Sequence, residues 1–250
     1  MKIDLNADCG ESFGRWTLGD DAAILREVTS ANIACGGHAG DPDVMRATVH
    51  LCAEGNVAIG AHPGYPDLQG FGRRALPMAP AEIFNSVLAQ IGALHAIARA
   101  EGAALVHVKA HGALYNHAAT HAPTARAIAD AVAAFDRGLI FVALAGSGLA
   151  EAGRAAGLRV AEEAFADRVY EANGALRDRK LPGSMVEGDA AAAAQAVAIV
   201  RDGAVTAHGG SRVTLRADTI CLHGDAPGAA ARARAVRAAL KAAGVTIERL

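Results

Sequence analysis

Acidic, imidazole and amino side chains recur in this 250-residue chain at spacings that place them on common faces. Asp4, Asn6 and Asp8 alternate with Ile3, Leu5 and Ala7. In an extended segment the three polar residues share one face and the apolar residues the other. His107, Lys109 and His111 repeat that spacing about a hundred residues on. Carboxylates left unpaired against a helix layer are costly, so these faces are expected to point into a closed sheet, towards its open end. A carboxylate, lysine or imidazole held among neighbouring charges has its pKa set by them and can carry protons. Asp8, Lys109 and His111 are therefore the candidates for acid/base chemistry. Asp4 and His107 lie deeper in their segments, where a buried polar network tying strands together is the better reading.

A second set offers metal-ligand chemistry. His38 and His62 each follow an apolar segment, and with Asp8 they make three ligands that zinc or another divalent ion could accept. No HxxxH or HExxH that includes His38 or His62 fixes that geometry, so ordinary hydrogen bonding accounts for these imidazoles equally well. Arg73-Arg74, behind Gly70-Phe71-Gly72, is either a carboxylate clamp or a solvated pair. Gly146-Ser147-Gly148 matches neither dinucleotide-binding nor P-loop spacing. In Gly36-Gly37-His38-Ala39-Gly40-Asp41-Pro42, the last two residues read as helix cap and first helical position. Cys9, Cys35, Cys52 and Cys221 form no CxxC, which suits reduced thiols in the cytoplasm.

The elements that must position these groups alternate regularly. Strands are expected at Lys2–Leu5, 31–34, 57–61, Leu105–Lys109, 139–144, 158–161 and Thr219–Leu222. Helices are expected at 20–28, Pro42–Glu54, 80–101, Ala122–Phe135, 148–156, Asp189–Asp202 and 228–243, the last behind Asp225 and Pro227. Residues 245–250 form an eighth short strand or a tail. Seven strand–helix repeats mean parallel strands with crossover helices. Nearly every strand runs into a polar cluster at its C-terminal end, where a parallel barrel gathers its substrate site. No linker or charge block divides the chain, so residues 1–250 read as one barrel domain. A formal charge of −2 without a basic block disfavours nucleic acid. No continuous apolar run reaches the roughly 18 residues of a membrane span, and no signal-peptide core precedes the first strand.

Seven stretches, taken together, resemble the LamB/YcsF family, whose members are the A subunits of 5-oxoprolinase. They are DLNADCGE (4–11), SANIACGGHAGD (30–41), GAHPGYPD (60–67), GFGRR (70–74), VKAHGALYN (108–116), EAFADRVY (163–170) and CLHGD (221–225). The family's proline between Lys109 and His111 is replaced by Ala110. The resemblance implies an irregular seven-stranded (β/α) TIM-like barrel of the glycoside hydrolase/deacetylase type. It implies ATP-dependent opening of the lactam 5-oxoproline to L-glutamate, with partner subunits B and C handling most of the ATP chemistry. Carried onto this sequence, it leaves Asp8, Lys109 and His111 as the acid/base set. Asn6, Glu11, Asn32, His38, His62, Arg73, Tyr115, Asn116, Arg168 and His223 would line the pocket. Two alternatives stand beside it: a metal-dependent sugar deacetylase or amidase, and a non-catalytic lactam-binding protein.

Overall fold

The computed structural model describes residues 1–223 and 228–250. In chain order the first half comprises β1 (Lys2–Cys9), α1 (Asp21–Ile24), β2 (Ser30–Ala34), α2 (Pro42–Glu54), β3 (Ala58–His62), α3 (Pro80–Ala100), β4 (Leu105–Lys109), α4 (Gly112–Ala118) and α5 (Ala122–Phe135). The second half comprises β5 (Ile140–Leu144), α6 (Gly148–Ala155), β6 (Arg159–Phe165), α7 (Asp189–Asp202), β7 (Ala204–Thr206), β8 (Arg212–Thr214), β9 (Thr219–Leu222), α8 (Ala229–Ala242) and β10 (Thr246–Ile247).

Strands β1 to β6 and then β9 hydrogen-bond in that order, all parallel, and β9 returns to β1. The ring is thus a closed seven-stranded barrel. The tail expected at residues 245–250 contributes β10, which pairs with the start of β1 through Lys2 and Ile3. An antiparallel hairpin of β7 and β8 lies outside the ring; neither it nor α4 is expected from the sequence pattern. Asp225 and Pro227, expected to introduce the last helix, lie outside the described residues.

All seven expected strands are present, and two run further than their apolar pattern predicts. β1 continues to Cys9 and β6 to Phe165. In both, the extension carries polar side chains that bond to one another inside the ring, so a pattern of apolar residues stops short of the strand. The helices lie outside. α2 starts where Asp41 accepts hydrogen bonds from the backbone of Asp43 and Val44, and α1 is a single turn capped by Asp20. α3 is long and apolar enough by length and composition to cross a membrane. Here it buries Ile83, Val87, Ile91, Leu94 and Ala98 against the barrel, the spacing of one helical face.

The barrel interior is polar and close-packed, and β3 makes room for it by omission. A Cβ on Gly60 would lie 2.1 Å from His107 Nε2, across the neighbouring strand. Gly60→Ala is therefore expected to cost about 3 kcal/mol or more, the upper range for overpacking a rigid core. Denaturant unfolding of the two proteins measures it; equal midpoints would show that His107 can move aside.

Candidate active site

A hydrogen-bonded column fills the barrel from its closed end to its mouth. At the base, buried Asp4 accepts from Ser30 Oγ at 2.6 Å, Thr29 Oγ1 at 2.7 Å and Thr219 Oγ1 at 2.5 Å. Burial nevertheless outweighs these bonds and raises its pKa. One layer up, Asn6 Nδ2 donates to Thr219 and to Glu163 Oε1 at 3.0 Å. Asn32 Nδ2 donates to Asn6 and Asp8, while its own oxygen accepts from His107 Nε2 at 2.8 Å. Burial, with Lys109 and His62 nearby, pushes His107 down to about 3, so the ring is neutral.

Lys109, the last residue of β4, crowns this column. Its Nζ donates to Asp8 Oδ1, Glu163 Oε1 and Cys221 Sγ, each at 2.9 Å, and lies 3.3 Å from Asn6 Oδ1. Burial alone would drive off its proton, but Asp8 and Glu163 reverse that and hold its pKa well above the lysine range. Burial likewise works to raise Asp8, and is overcome by His62 and Lys109, leaving its carboxyl well below the usual range. Tyr115 closes the arrangement by donating to Glu163 Oε2 at 2.7 Å. The result is a fixed, almost wholly buried ammonium flanked by two carboxylates.

Beside this triad stand three imidazoles from three segments. His62 ends β3, His38 sits between β2 and α2, and His111 precedes α4. His111 is not part of β4, as the period-two spacing suggests; its backbone N–H bonds Pro63 O, turning the chain into the helix. Glu11 joins them from the end of β1, with Oε1 3.3 Å from His38 Nε2 and 3.5 Å from His111 Nδ1. The Gly70-Phe71-Gly72 turn packs directly on the rings. A Cβ on Gly72, at φ +61°, would come within 3 Å of both His38 and His111. Burial holds His38 and His111 well below the ordinary histidine pKa.

Above lies a cavity of about 630 Å³, opening at the C-terminal ends of the strands. Asp8, His62, Arg73, Lys109, His111, Tyr115, Asn116, Arg168 and His223 all line it. Asn6 and Asn32 do not; they lie beneath its floor and orient Glu163 and Asp8. Glu11 and His38 lie behind His111, also away from its wall. The expected metal set of Asp8, His38 and His62 is divided. Asp8 pairs with Lys109 and reaches His62 Nε2 at 3.3 Å, while the compact cluster is Glu11, His38, His62 and His111, with donor atoms within 4.8 Å of one another. Arg74 is committed to Asp67, whereas Arg73 lies over the Phe71 ring at the cavity. Arg168 is buried, donating to the carbonyls of Ser184 and Arg177.

Two residues of this arrangement, Glu163 and Asp167, are not singled out by the sequence pattern. The apolar run of strand six ends at Ala161 and leaves Glu163 in a loop; carrying the alternation two residues further puts Glu162 outside and Glu163 inside. That is their arrangement in the fold, with Glu162 on Arg154 and Glu163 on Lys109. Asp167 accepts from His223 Nδ1 at 2.9 Å and fixes that ring at the cavity wall. All four cysteines are free and buried.

A closed seven-stranded (β/α) barrel with a buried lysine–carboxylate triad and an imidazole cluster at its mouth defines an enzyme-like class of protein. Within that class, residues 3–250 match the LamB/YcsF family across essentially the whole chain, and the protein belongs to it. It is 62% identical over 247 residues to the 5-oxoprolinase A subunit of Chloroflexus aggregans, covering 99% of this chain and 98% of the relative. It is 57% identical over 248 residues to the 5-oxoprolinase A subunit of Methylococcus capsulatus, covering 99% and 95%. Among solved structures, the lactam utilization protein from Thermus thermophilus superposes with a TM-score of 0.95 at 50% identity, each chain fully covered.

Proposed function

We propose that this chain is the A subunit of an ATP-dependent 5-oxoprolinase, opening the lactam 5-oxoproline to L-glutamate as ATP becomes ADP and phosphate. The observation that carries the reading is the Lys109 ammonium held between Asp8 and Glu163 at the floor of the cavity. The relatives named as A subunits of 5-oxoprolinase support it. Opening the ring breaks its C–N bond, adds a water oxygen to the carbonyl carbon and delivers a proton to nitrogen. Negative charge develops on the carbonyl oxygen, and a buried cation aimed at that oxygen is the strongest stabiliser available. Lys109 supplies it. The Asp8 carboxylate accepts the proton of the attacking water and passes one to the departing nitrogen. Arg73 or Arg168, on the cavity wall, holds the substrate's own carboxylate.

No P-loop or kinase motif occurs in the sequence, so most handling of ATP falls to partner subunits B and C, in the cytoplasm. The test is glutamate release from 5-oxoproline, with and without ATP, by this chain alone and with both partners. Glutamate only from the complete, ATP-containing mixture is the expected result. None from the demonstrably assembled mixture would sink the assignment. The imidazole cluster favours one second reading, a metal-dependent amidase or deacetylase, which predicts chelator-sensitive turnover without ATP.

A further inference from the structure

We infer that Glu11, His62 and His111 form a divalent-cation site, its donors Glu11 Oε1, His62 Nε2 and His111 Nδ1, with His38 orienting Glu11. The positions of the ring protons locate the lone pairs. His62 Nδ1 lies 2.7 Å from the carbonyl of Lys109, and His111 Nε2 lies 2.9 Å from the carbonyl of Phe71. A carbonyl only accepts, so in each ring that nitrogen carries a proton, and the other nitrogen is the one left to bind a metal ion. Those two remaining nitrogens, His62 Nε2 and His111 Nδ1, face each other at 3.1 Å, sharing a proton that a metal ion would replace. Asp8 Oδ2 stands 3.3 Å from the first and Glu11 Oε1 3.5 Å from the second. Acceptors converge here on one point from several segments, and a cation is what such a point accommodates.

The spacing fits. Four-coordinate zinc at about 2.0–2.1 Å from its ligands holds neighbouring donors about 3.3–3.4 Å apart, close to the 3.1 and 3.5 Å seen between these atoms. Backbone carbonyls behind both rings are the outer-shell partners that metal-binding histidines need. One of them is delivered at a conformational cost: Phe71 has φ 54°, in the left-handed region that a residue with a side chain rarely adopts. Two imidazoles and a carboxylate suit zinc, cobalt, manganese or iron(II) better than magnesium or calcium. Asp8, His62 and His111 also line the cavity, so a fourth position would open towards it.

His38 belongs to the site differently. Its ring lies parallel to that of His111, 2° between planes and 3.6 Å between centroids. A cation in the plane of His111 is therefore out of the plane of His38. His38 Nε2 instead donates to Glu11 Oε1 at 3.3 Å, and its buried Nδ1 has no hydrogen-bond partner among the described residues. It is a positioning residue.

The site stands independently of the lactam reading, because binding is measured without substrate or partners. Metal-stripped full-length protein is titrated with Zn²⁺ by calorimetry and with Co²⁺ by its d–d absorption. One ion per chain is expected, with a cobalt spectrum of low coordination number. His111→Ala and Glu11→Gln should each abolish saturable uptake, while His38→Gln weakens it about 10-fold. Glu11→Gln is nearly isosteric and covers the case in which His111→Ala does not fold, as judged by circular dichroism. His117→Ala, in an imidazole pair with His121 elsewhere, should bind normally. No saturable uptake by the parent chain would overturn the proposal and leave a proton as the occupant. Uptake unchanged in the folded Glu11→Gln and His111→Ala proteins would overturn it as well.

Discussion

Lys109→Met is expected to lower glutamate formation by the assembled enzyme at least about 10²–10³-fold, the usual loss when one preorganised donor to a developing oxyanion is removed. The same substitution should cost about 3–5 kcal/mol of stability, because it leaves Asp8 and Glu163 buried without their shared cation. The two effects separate by pH. In the parent, Asp8 lies well below its usual 3.8, so the stability it contributes is present above 3.8 and is lost as pH falls through the lower folded value. Without Lys109 the His62 contribution remains, and the carboxyl pKa of Asp8 moves up from its depressed value. The stability Asp8 contributes is then smaller, and it is lost at a higher pH on acidification. Melting curves across the acid range should therefore show the acid limb of the variant displaced to higher pH than that of the parent. Near-normal turnover by a folded Lys109→Met protein would remove Lys109 from the chemistry.

Glu163→Gln is expected to be almost as damaging, although Glu163 does not line the cavity. Its two oxygens accept from Lys109, Asn6 and Tyr115, all donors. A glutamine amide must turn an N–H₂ towards at least one of them and removes half of the charge that keeps Lys109 protonated. We expect kcat to fall about 100-fold with KM nearly unchanged, since what is lost is positioning of a group that acts in the transition state. The lysine pKa should fall, which would bring the alkaline limb of the pH–rate profile to lower pH. A loss confined to KM would place Glu163 in substrate binding instead. An unchanged profile would separate it from Lys109 altogether.

How far these groups can be read from sequence depends on which face they use. Asp4, Asn6 and Asp8 are legible because period-two alternation against Ile3, Leu5 and Ala7 survives whether or not the strand is seen whole. Glu163 is hidden because Glu162 precedes it, and two adjacent acids resemble a solvated loop more than a strand with one inward face. The barrel is legible from the strand–helix repeat together with polar strand ends, and its closure comes with the family resemblance. His111 belongs to the site, but with different neighbours from those its spacing suggests: the pattern links it to Lys109, and the turn at Pro63 takes it to His38 and His62. No spacing rule relates Glu11 to those three rings, because they come from different crossings of the barrel and only the folded geometry brings them together. The hairpin of β7 and β8 escapes because its strands are three residues each, too short to show a period.

The pairing of β1 with β9 has a kinetic consequence. Every other contact around the ring can form between segments near one another in the chain, except that β9 must cross from β6 past α7 and the hairpin. Closure joins Asp4–Ala7 to Thr219–Leu222, over two hundred residues away. Loop entropy makes such long-range pairing late and slow. It is also the step that brings Thr219 to Asp4 and Asn6, and Cys221 to Lys109. A nascent chain that has built six strands and their helices therefore holds carboxylates and an ammonium in an open trough, hydrated and unmatched. The polar column and the ring are completed together, so activity should appear in refolding with the slowest phase and not before it.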